Sequence, residues 1–300
     1  AWLLGHFFFL SADNPERKTQ LAQYMGAIAN GRTLAEAATV FGDLEQLQDE
    51  VDRYGDRRTR FARVDYEGPQ DVDPSISSLG VTEAAVLDER LQLDSRLILP
   101  PLATADMSPE EMADMQKLHN DAAASRDEWM TELRDDVAQL SINANALLLL
   151  AEAECRLGNY EACIRAADQV IAEFPGDTRA PSWKAIALIQ QAANGPQSLR
   201  EDRVKAARAL VTAANRVNPD AVMPLVAYFR SFTDIGEVAP EAALFGMLRV
   251  IQLVPNAPEP RLLLGQELIR QSRADAARQV MLPLVNGPWD SPERQLALSN

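Results

Sequence analysis

Apolar residues recur at three- and four-residue steps along most of this chain, the spacing of helices that bury one face. The most regular stretch is Ala144–Asp177, where the pattern predicts two antiparallel helices joined by a turn. Gly158 ends the first helix, because glycine adopts the left-handed backbone of a helix terminus without strain. Pro175 stops the second helix. The predicted inward positions are Leu147, Leu150 and Ala151 in the first helix and Cys163, Ala167 and Val170 in the second.

The same helical pair returns three times downstream. A longer connection inside the second pair predicts an insertion there, which costs little in a surface loop. A further helix is predicted over Pro292–Leu298. The three later pairs are Ala180–Asn194 with Val204–Asn218, Ala221–Thr233 with Pro240–Leu253, and Arg261–Gln271 with Ala274–Val285.

The first pair, ANALLLLAEAECRLGNYEACIRAADQVIAEFPGD, resembles a tetratricopeptide repeat (TPR), a helix-turn-helix unit of about 34 residues that ends in a proline. One such unit cannot bury its apolar face, so the resemblance implies a stack of neighbours. The predicted fold is therefore mainly α. It is a right-handed α-solenoid of about four TPR-like hairpins over residues 144–300, preceded by a small helical region and a short extended segment.

Three further segments are predicted before the repeats. Residues 1–56 read as helices, with a capping box at Thr33 and Glu36 and a cap at Asp43. Residues 57–105 read as an extended linker, although Thr82–Leu93 has helical spacing. Within this linker, short strands are predicted at Phe61–Tyr66 and Arg96–Leu99. We place a domain boundary near Pro100-Pro101.

Acidic helices are predicted over residues 106–143, leading into the repeats. Ser108 and Pro109 open the first of them, and a separate helix is predicted from Asp127 to Leu140. Met112, Met115 and His119 share one face of the first helix, where core packing is favoured over a soft-metal site.

Charge restricts the classes of partner. The chain carries 44 acidic and 29 basic residues, a formal charge of −15 at pH 7, which opposes binding to nucleic acid or an anionic membrane. The apolar first ten residues are too short to cross a bilayer. We therefore predict neither nucleic-acid binding nor membrane insertion. Because no initiator methionine is present, we expect the chain to be a piece of a longer protein.

Two cysteines, Cys155 and Cys163, both fall in the first hairpin. Cys163 holds a close-packing position, where a free cysteine acts as a small apolar residue. Two thiols without histidine partners do not form a zinc site. A disulfide across the hairpin is left open, so the cysteines do not reveal the cellular compartment.

The first residues resemble the end of a peptidase-MA-like (gluzincin) zinc metallopeptidase domain, found in bacterial proteins that carry TPRs after it. The resembling stretches are AWLLGHFFFL and YMGAIANGRTLAEAATVFGDLEQLQDEVDRY. In that family an HExxH helix and a downstream glutamate hold the zinc, whereas the two histidines here, His6 and His119, stand in no HExxH. We predict no catalytic, metal-binding or cofactor-binding residue in this chain. The resemblance implies a periplasmic or secreted protein; the residues alone leave the compartment unknown.

Stacked helical hairpins curve, and their first helices line a groove that receives a peptide or a partner's helix. The candidate groove residues of this chain lack the cluster of lysines and arginines by which some repeats hold a peptide's C-terminal carboxylate. The chain's own N-terminal helices or a second copy are alternative occupants of the groove. The candidate groove residues are Asn145, Leu148, Glu152, Cys155 and Arg156 in the first repeat and Glu259, Leu262, Gln266, Ile269 and Arg270 in the fourth.

The leading hypothesis is a non-catalytic scaffold for protein–protein interaction, which binds a protein or peptide partner or associates with itself. The alternative is the C-terminal scaffold part of a zinc metallopeptidase whose active site lies upstream of this chain. A hydrolase built on Glu110/Glu111 or Asp135/Asp136 is disfavoured, because adjacent helical residues point in directions about 100° apart.

Overall fold

A computed structural model describes residues 2–10, 15–56, 78–80, 84, 86–102, 104, 107–287 and 292–299. These residues form fifteen α-helices and no β-strand. Short 3-10 helices occur at Thr39–Phe41 and Gln197–Leu199. In chain order the α-helices are α1 Trp2–Leu10, α2 Pro15–Ala29, α3 Leu34–Ala38, α4 Leu44–Gly55, α5 Leu87–Leu97, α6 Pro109–Gln139, α7 Ala144–Arg156, α8 Tyr160–Glu173, α9 Arg179–Asn194, α10 Arg200–Val217, α11 Val222–Thr233, α12 Glu241–Leu253, α13 Pro258–Arg270, α14 Ala274–Val285 and α15 Pro292–Ser299.

The chain divides into two compact units. The terminal unit combines Ala1–Ile76 with Arg261–Asn300, and the repeat unit is Ser77–Pro260. This division differs from the four sequence segments predicted above, since the fourth predicted hairpin falls in the terminal unit. No helix in the described part of the chain is both long and apolar enough to cross a membrane.

The terminal unit begins with helices whose ends follow the predicted capping pattern. Thr33 Oγ1 accepts from the Glu36 N–H while the Glu36 carboxylate accepts from the Thr33 N–H, which is a complete capping box. Asp43 caps α4 by accepting from two backbone N–H groups. Although α1 is apolar on all sides, only Phe7 and Phe8 are buried in it.

The repeat unit contains the three remaining predicted hairpins, α7–α8, α9–α10 and α11–α12, with bounds within a few residues of those expected. The predicted insertion is the connection from α9 to α10, which includes a 3-10 turn. Gly158 has φ of +81° at the end of α7, as its role in the turn requires. The buried side chains between successive hairpins are mostly small or aliphatic, so the helices approach closely.

The acidic segment forms one helix rather than two. Helix α6 runs for 31 residues from Pro109 to Gln139 without interruption, after a capping box between Ser108 and Glu111. The predicted break before Asp127 is wrong, because no glycine or proline occurs in α6 after its first residue, Pro109, to end the hydrogen-bond ladder. Its buried side chains lie only in the second half, where Trp129, Met130, Leu133 and Val137 pack against the first hairpin.

The described part of the predicted linker contains the helix α5. Arg96 and Leu97 form the last turn of α5, so the strand predicted at Arg96–Leu99 is wrong. Arg96 donates to the Gln92 amide oxygen one turn earlier and to Ser125 Oγ on α6, which fixes it in helical geometry. The other predicted strand, Phe61–Tyr66, lies outside the described residues.

Helices α5 and α6 form a hairpin that precedes the first predicted repeat. Arg96 contacts Ser125, and the His119 ring N–H donates to the Pro100 carbonyl at 2.7 Å, so the two segments run antiparallel. Val86 and Leu93 are buried in the same apolar cluster as the inward residues of α7. The stack of hairpins in the repeat unit therefore begins at α5.

Candidate functional site

A cleft of about 510 Å³ lies where the first helices of four successive hairpins meet. We call it the first-helix cleft. Helices α5, α7, α9 and α11 all contribute to its walls, which is the arrangement expected of a groove along stacked hairpins. The lining residues are Leu79, Val86, Leu87, Arg90, Asn145, Leu148, Leu149, Glu152, Arg179, Trp183 and Met223.

Apolar side chains form the floor of the first-helix cleft. Leu148 from α7 is buried, while Trp183 from α9 and Met223 from α11 are half-buried and keep part of their surface open to the cleft. Leu87 from α5 is 41% exposed and Leu79 is 55% exposed, so the mouth of the cleft is apolar as well. An exposed apolar concavity of this kind is where a ligand's apolar side chain gains most from leaving water.

Alternating charges form one rim of the cleft. Arg90 Nη1 lies 2.5 Å from Glu152 Oε2, and Arg156 Nη1 lies 2.6 Å from Asp94 Oδ1. Arg156 also lies 3.7 Å from Glu152 one helical turn earlier. Both ion pairs join α5 to α7. A step of four residues along α5, from Arg90 to Asp94, corresponds to a step of four residues along α7, from Glu152 to Arg156, so these two helices run parallel. Such exposed pairs contribute little to stability, about 0–1 kcal/mol each, but they fix the relative register of the two helices.

Arg179 forms the opposite rim at the start of α9. Its guanidinium donates to Asp177 and, through Nη1, to Asn145 Oδ1 at 3.2 Å. Burial acts to raise the pKa of Asp177, but hydrogen bonds from Arg179 and from the Ala180 N–H lower it below its ordinary value. Asp177 is therefore ionised at neutral pH and holds Arg179 across the end of the cleft.

The structure brings together the candidate groove residues of the first repeat. Asn145, Leu148 and Glu152 line the first-helix cleft, and Arg156 extends the charged rim beside Glu152. Cys155 is 7% exposed and lies beneath this surface, since its Sγ contacts the Trp183 carbonyl oxygen at 3.7 Å.

The candidate residues of the fourth repeat are not part of this cleft. Leu262, predicted to face a groove, is buried in an apolar cluster with Met281 and Ala297. Glu259 and Gln266 are exposed, and Ile269 is 38% exposed. Arg270 pairs with the buried carboxylate of Glu267 at 2.6 Å.

The sequence did not predict that α5 contributes to the first-helix cleft, or that Trp183 and Met223 line it from the later helices. Leu87 and Arg90 lie in the segment that was predicted to be a linker, and Met223 follows the predicted start of its helix without any special motif. The only local signal was the helical spacing of Thr82–Leu93.

The two cysteine thiols are packing groups in this structure. Both Sγ atoms lie 3.7 Å from the Trp183 carbonyl oxygen, and both side chains are buried. Contact with the Cys155 thiol and burial raise the pKa of Cys163 far above its ordinary value. The Cys163 thiol is therefore neutral, and the buried positions of both cysteines are consistent with the predicted role in packing.

A larger crevice of about 680 Å³ runs along the turn between α7 and α8. Its most buried polar group is the Glu154 carboxylate, which accepts from Arg134 at 2.6 and 2.9 Å and from Asn159 Nδ2 at 2.8 Å. Because these charges already satisfy each other, the crevice offers a ligand fewer open contacts than the first-helix cleft does.

The two histidines each form a local hydrogen bond. His6 Nδ1 lies 2.7 Å from the Tyr54 hydroxyl, and His119 bonds to Pro100 as described above. Among the residues that the structure describes, no three His, Cys, Asp or Glu side chains converge in a way that could hold a metal ion.

Comparison with known proteins shows the fold. A crystal structure of a thermophilic TPR protein of Thermus thermophilus matches this chain with a TM-score of 0.52 and 20% identity, over 59% of this chain and 91% of that one. No protein-family model and no curated protein sequence matches the chain. The resemblance of residues 1–56 to a metallopeptidase domain therefore stays a prediction. The chain has a mainly-α fold of TPR-like helical hairpins.

Proposed function

We propose that this protein is a scaffold for protein–protein interaction that binds a peptide segment of a partner in the first-helix cleft. The observation that carries the proposal is the convergence of Leu87, Leu148, Trp183 and Met223 from four different helices on one open apolar cleft. A surface of this kind is assembled only when the hairpins stack, so it belongs to the fold rather than to one helix.

The size of the cleft favours a peptide segment over a folded domain. A volume of about 510 Å³ lies within the range of about 300–1,000 Å³ that ligand pockets occupy. One or two side chains of a partner fill it, with the backbone of that segment lying between the charged rims. This is the way in which grooves of helical proteins usually take peptides.

Trp183 is the expected centre of binding energy. Tryptophan side chains in the middle of an interface often cost 2 kcal/mol or more when truncated, which is about thirtyfold in affinity. Leu87 contributes from the cleft mouth, where its exposure allows substitution without loss of core packing. The rim pairs Arg90–Glu152 and Arg179–Asp177 provide polar contacts that orient the bound segment.

Selection from a phage-displayed peptide library on the immobilised chain tests this proposal. Peptides that bind the wild type should lose about thirtyfold or more in affinity with Trp183→Ala, and several-fold with Leu87→Glu. Trp2→Ala is the matched control, since Trp2 is 70% exposed and belongs to the terminal unit. Peptides that bind all three variants as they bind wild type would contradict cleft binding, and so would failure of the library to yield any peptide.

A further inference from the structure

A second cleft, of about 470 Å³, lies in the terminal unit. We call it the terminal cleft. It is bounded by Gly31–Thr33 before α3, by α14, and by residues of α13 and α15. Its walls are mainly apolar, with Met281, Leu282 and Val285 on one side and Leu298, which is 57% exposed, at the mouth. The volume is in the range of small-molecule sites.

Two arginines flank this apolar space. Arg32 and Arg278 are exposed, and the side chain of neither forms a hydrogen bond or ion pair with a residue that the structure describes. Each guanidinium keeps its planar set of N–H donors available for an anionic group.

Both arginines belong to the lining of the terminal cleft, and both lie close enough to Glu36 to act on its carboxylate. The pKa of Glu36 is lowered mainly by the Thr33 N–H, and both Arg32 and Arg278 lower it further. The Glu36 carboxylate is held in the capping box of α3, so it does not pair directly with either arginine. An external anion can therefore meet both cations.

A polar donor on the cleft wall also lacks an acceptor. Asn286 Nδ2 is buried and has no hydrogen-bond partner among the residues that the structure describes, and Asn286 lines the cleft just after Val285 at the end of α14. Buried N–H groups are almost always paired in native proteins. A bound group with an acceptor oxygen would pair this donor.

We propose that the terminal cleft binds a small amphipathic anion, an aliphatic chain with a carboxylate or phosphate head. The chain lies against Met281, Val285 and Leu298, where it leaves water. The anionic head lies between Arg32 and Arg278. The site is independent of the first-helix cleft, since all its residues belong to the terminal unit.

Isothermal titration calorimetry of the full chain tests the site with defined probes below their micelle concentrations. Decanoate and decyl phosphate separate the two head groups, and saturable one-to-one binding of either supports the proposal. Acetate should not bind, because it lacks the chain. Decyltrimethylammonium should bind at least tenfold more weakly, because its head repels the arginines. Equal binding of this cation, or no saturable binding of either anion, would overturn the proposal.

Variants of the cations distinguish the site from general adsorption to apolar surface. Arg32→Gln with Arg278→Gln should weaken anion binding about tenfold or more, whereas Arg32→Lys with Arg278→Lys should keep most of it. Asn286→Asp should also weaken binding, because a carboxylate replaces the donor. Arg53→Gln, an exposed arginine on α4, is the control. Unchanged affinity in the double glutamine variant, with the fold verified by circular dichroism, would refute the assignment.

Discussion

The buried Glu154 carboxylate gives the sharpest prediction for stability. Glu154 is 2% exposed and lies on α7, while its partner Arg134 lies on α6 and is 44% exposed. The bidentate pair therefore fastens the leading hairpin to the first predicted repeat. Replacing Arg134 by methionine keeps the aliphatic part of the side chain and removes the charge that pairs with Glu154.

The expected cost of Arg134→Met is about 3 kcal/mol. Removing one partner of a buried ion pair costs roughly 3–5 kcal/mol, because the other charge is left uncompensated. The lower end applies here, since Arg134 is partly in solvent and Asn159 still donates to the carboxylate at 2.8 Å. Glu154→Gln keeps the shape and removes the charge, at an expected cost of about 1–2 kcal/mol.

A double-mutant cycle in urea, followed by circular dichroism, measures the interaction. When residue 154 is a neutral glutamine, loss of Arg134 leaves no buried charge without a partner. The double variant should therefore cost about 3 kcal/mol, which is roughly 1.5 kcal/mol less than the sum of the single variants. Arg126→Met is the control, since Arg126 on the same helix pairs with the exposed Asp127 and its loss should cost under about 1 kcal/mol. Additive single effects, or equal losses for Arg134 and Arg126, would refute the reasoning.

Two further predictions concern the terminal unit. Gly265→Ala should lower the free energy of unfolding by about 1–2 kcal/mol, because the new Cβ would lie 2.4 Å from Met281 Cε and 2.6 Å from its Cγ. Gly26 is a helical glycine whose added Cβ would meet no atom within 4 Å, so Gly26→Ala should raise the free energy of unfolding by about 0.5–1 kcal/mol in the same urea titration. Glu50→Gln should cost about 1–2 kcal/mol at pH 7, because the hydrogen bond from Arg17 lowers the pKa of Glu50 in the folded chain. That contribution is present above the unfolded pKa of about 4.3 and is lost as the pH falls through the lower folded value. A Glu50→Gln deficit that stays constant from pH 7 to pH 3 would contradict this account.

Helix positions could be predicted well from the sequence, because local signals determine them. The bounds of α14 are those predicted, Ala274–Val285, and the capping box predicted at Thr33 and the helix start predicted at Ser108 are both present. Where the prediction failed, local appearance was misleading. Arg96 lies two residues before the extended residue Ile98, but its hydrogen bonds to Gln92 and Ser125 keep it helical.

The candidate site was only partly predictable, because its walls depend on contacts between distant residues. Asn145, Leu148 and Glu152 could be placed by their position in the first repeat. Their partners could not, since Arg90 reaches Glu152 across 62 residues and no spacing rule relates them. The burial of Leu262 in a local cluster is likewise a tertiary effect, which a repeat pattern alone does not reveal.

Photo-crosslinking of a selected peptide tests the central claim most directly, namely that four first helices form one peptide-binding cleft. A photoreactive phenylalanine analogue would replace Leu87 on α5, Met223 on α11 or, as control, the exposed Val217 at the end of α10. We predict that the same peptide crosslinks at positions 87 and 223 and not at 217. Crosslinking at 217 alone, or equal yields at all three positions, would contradict the account.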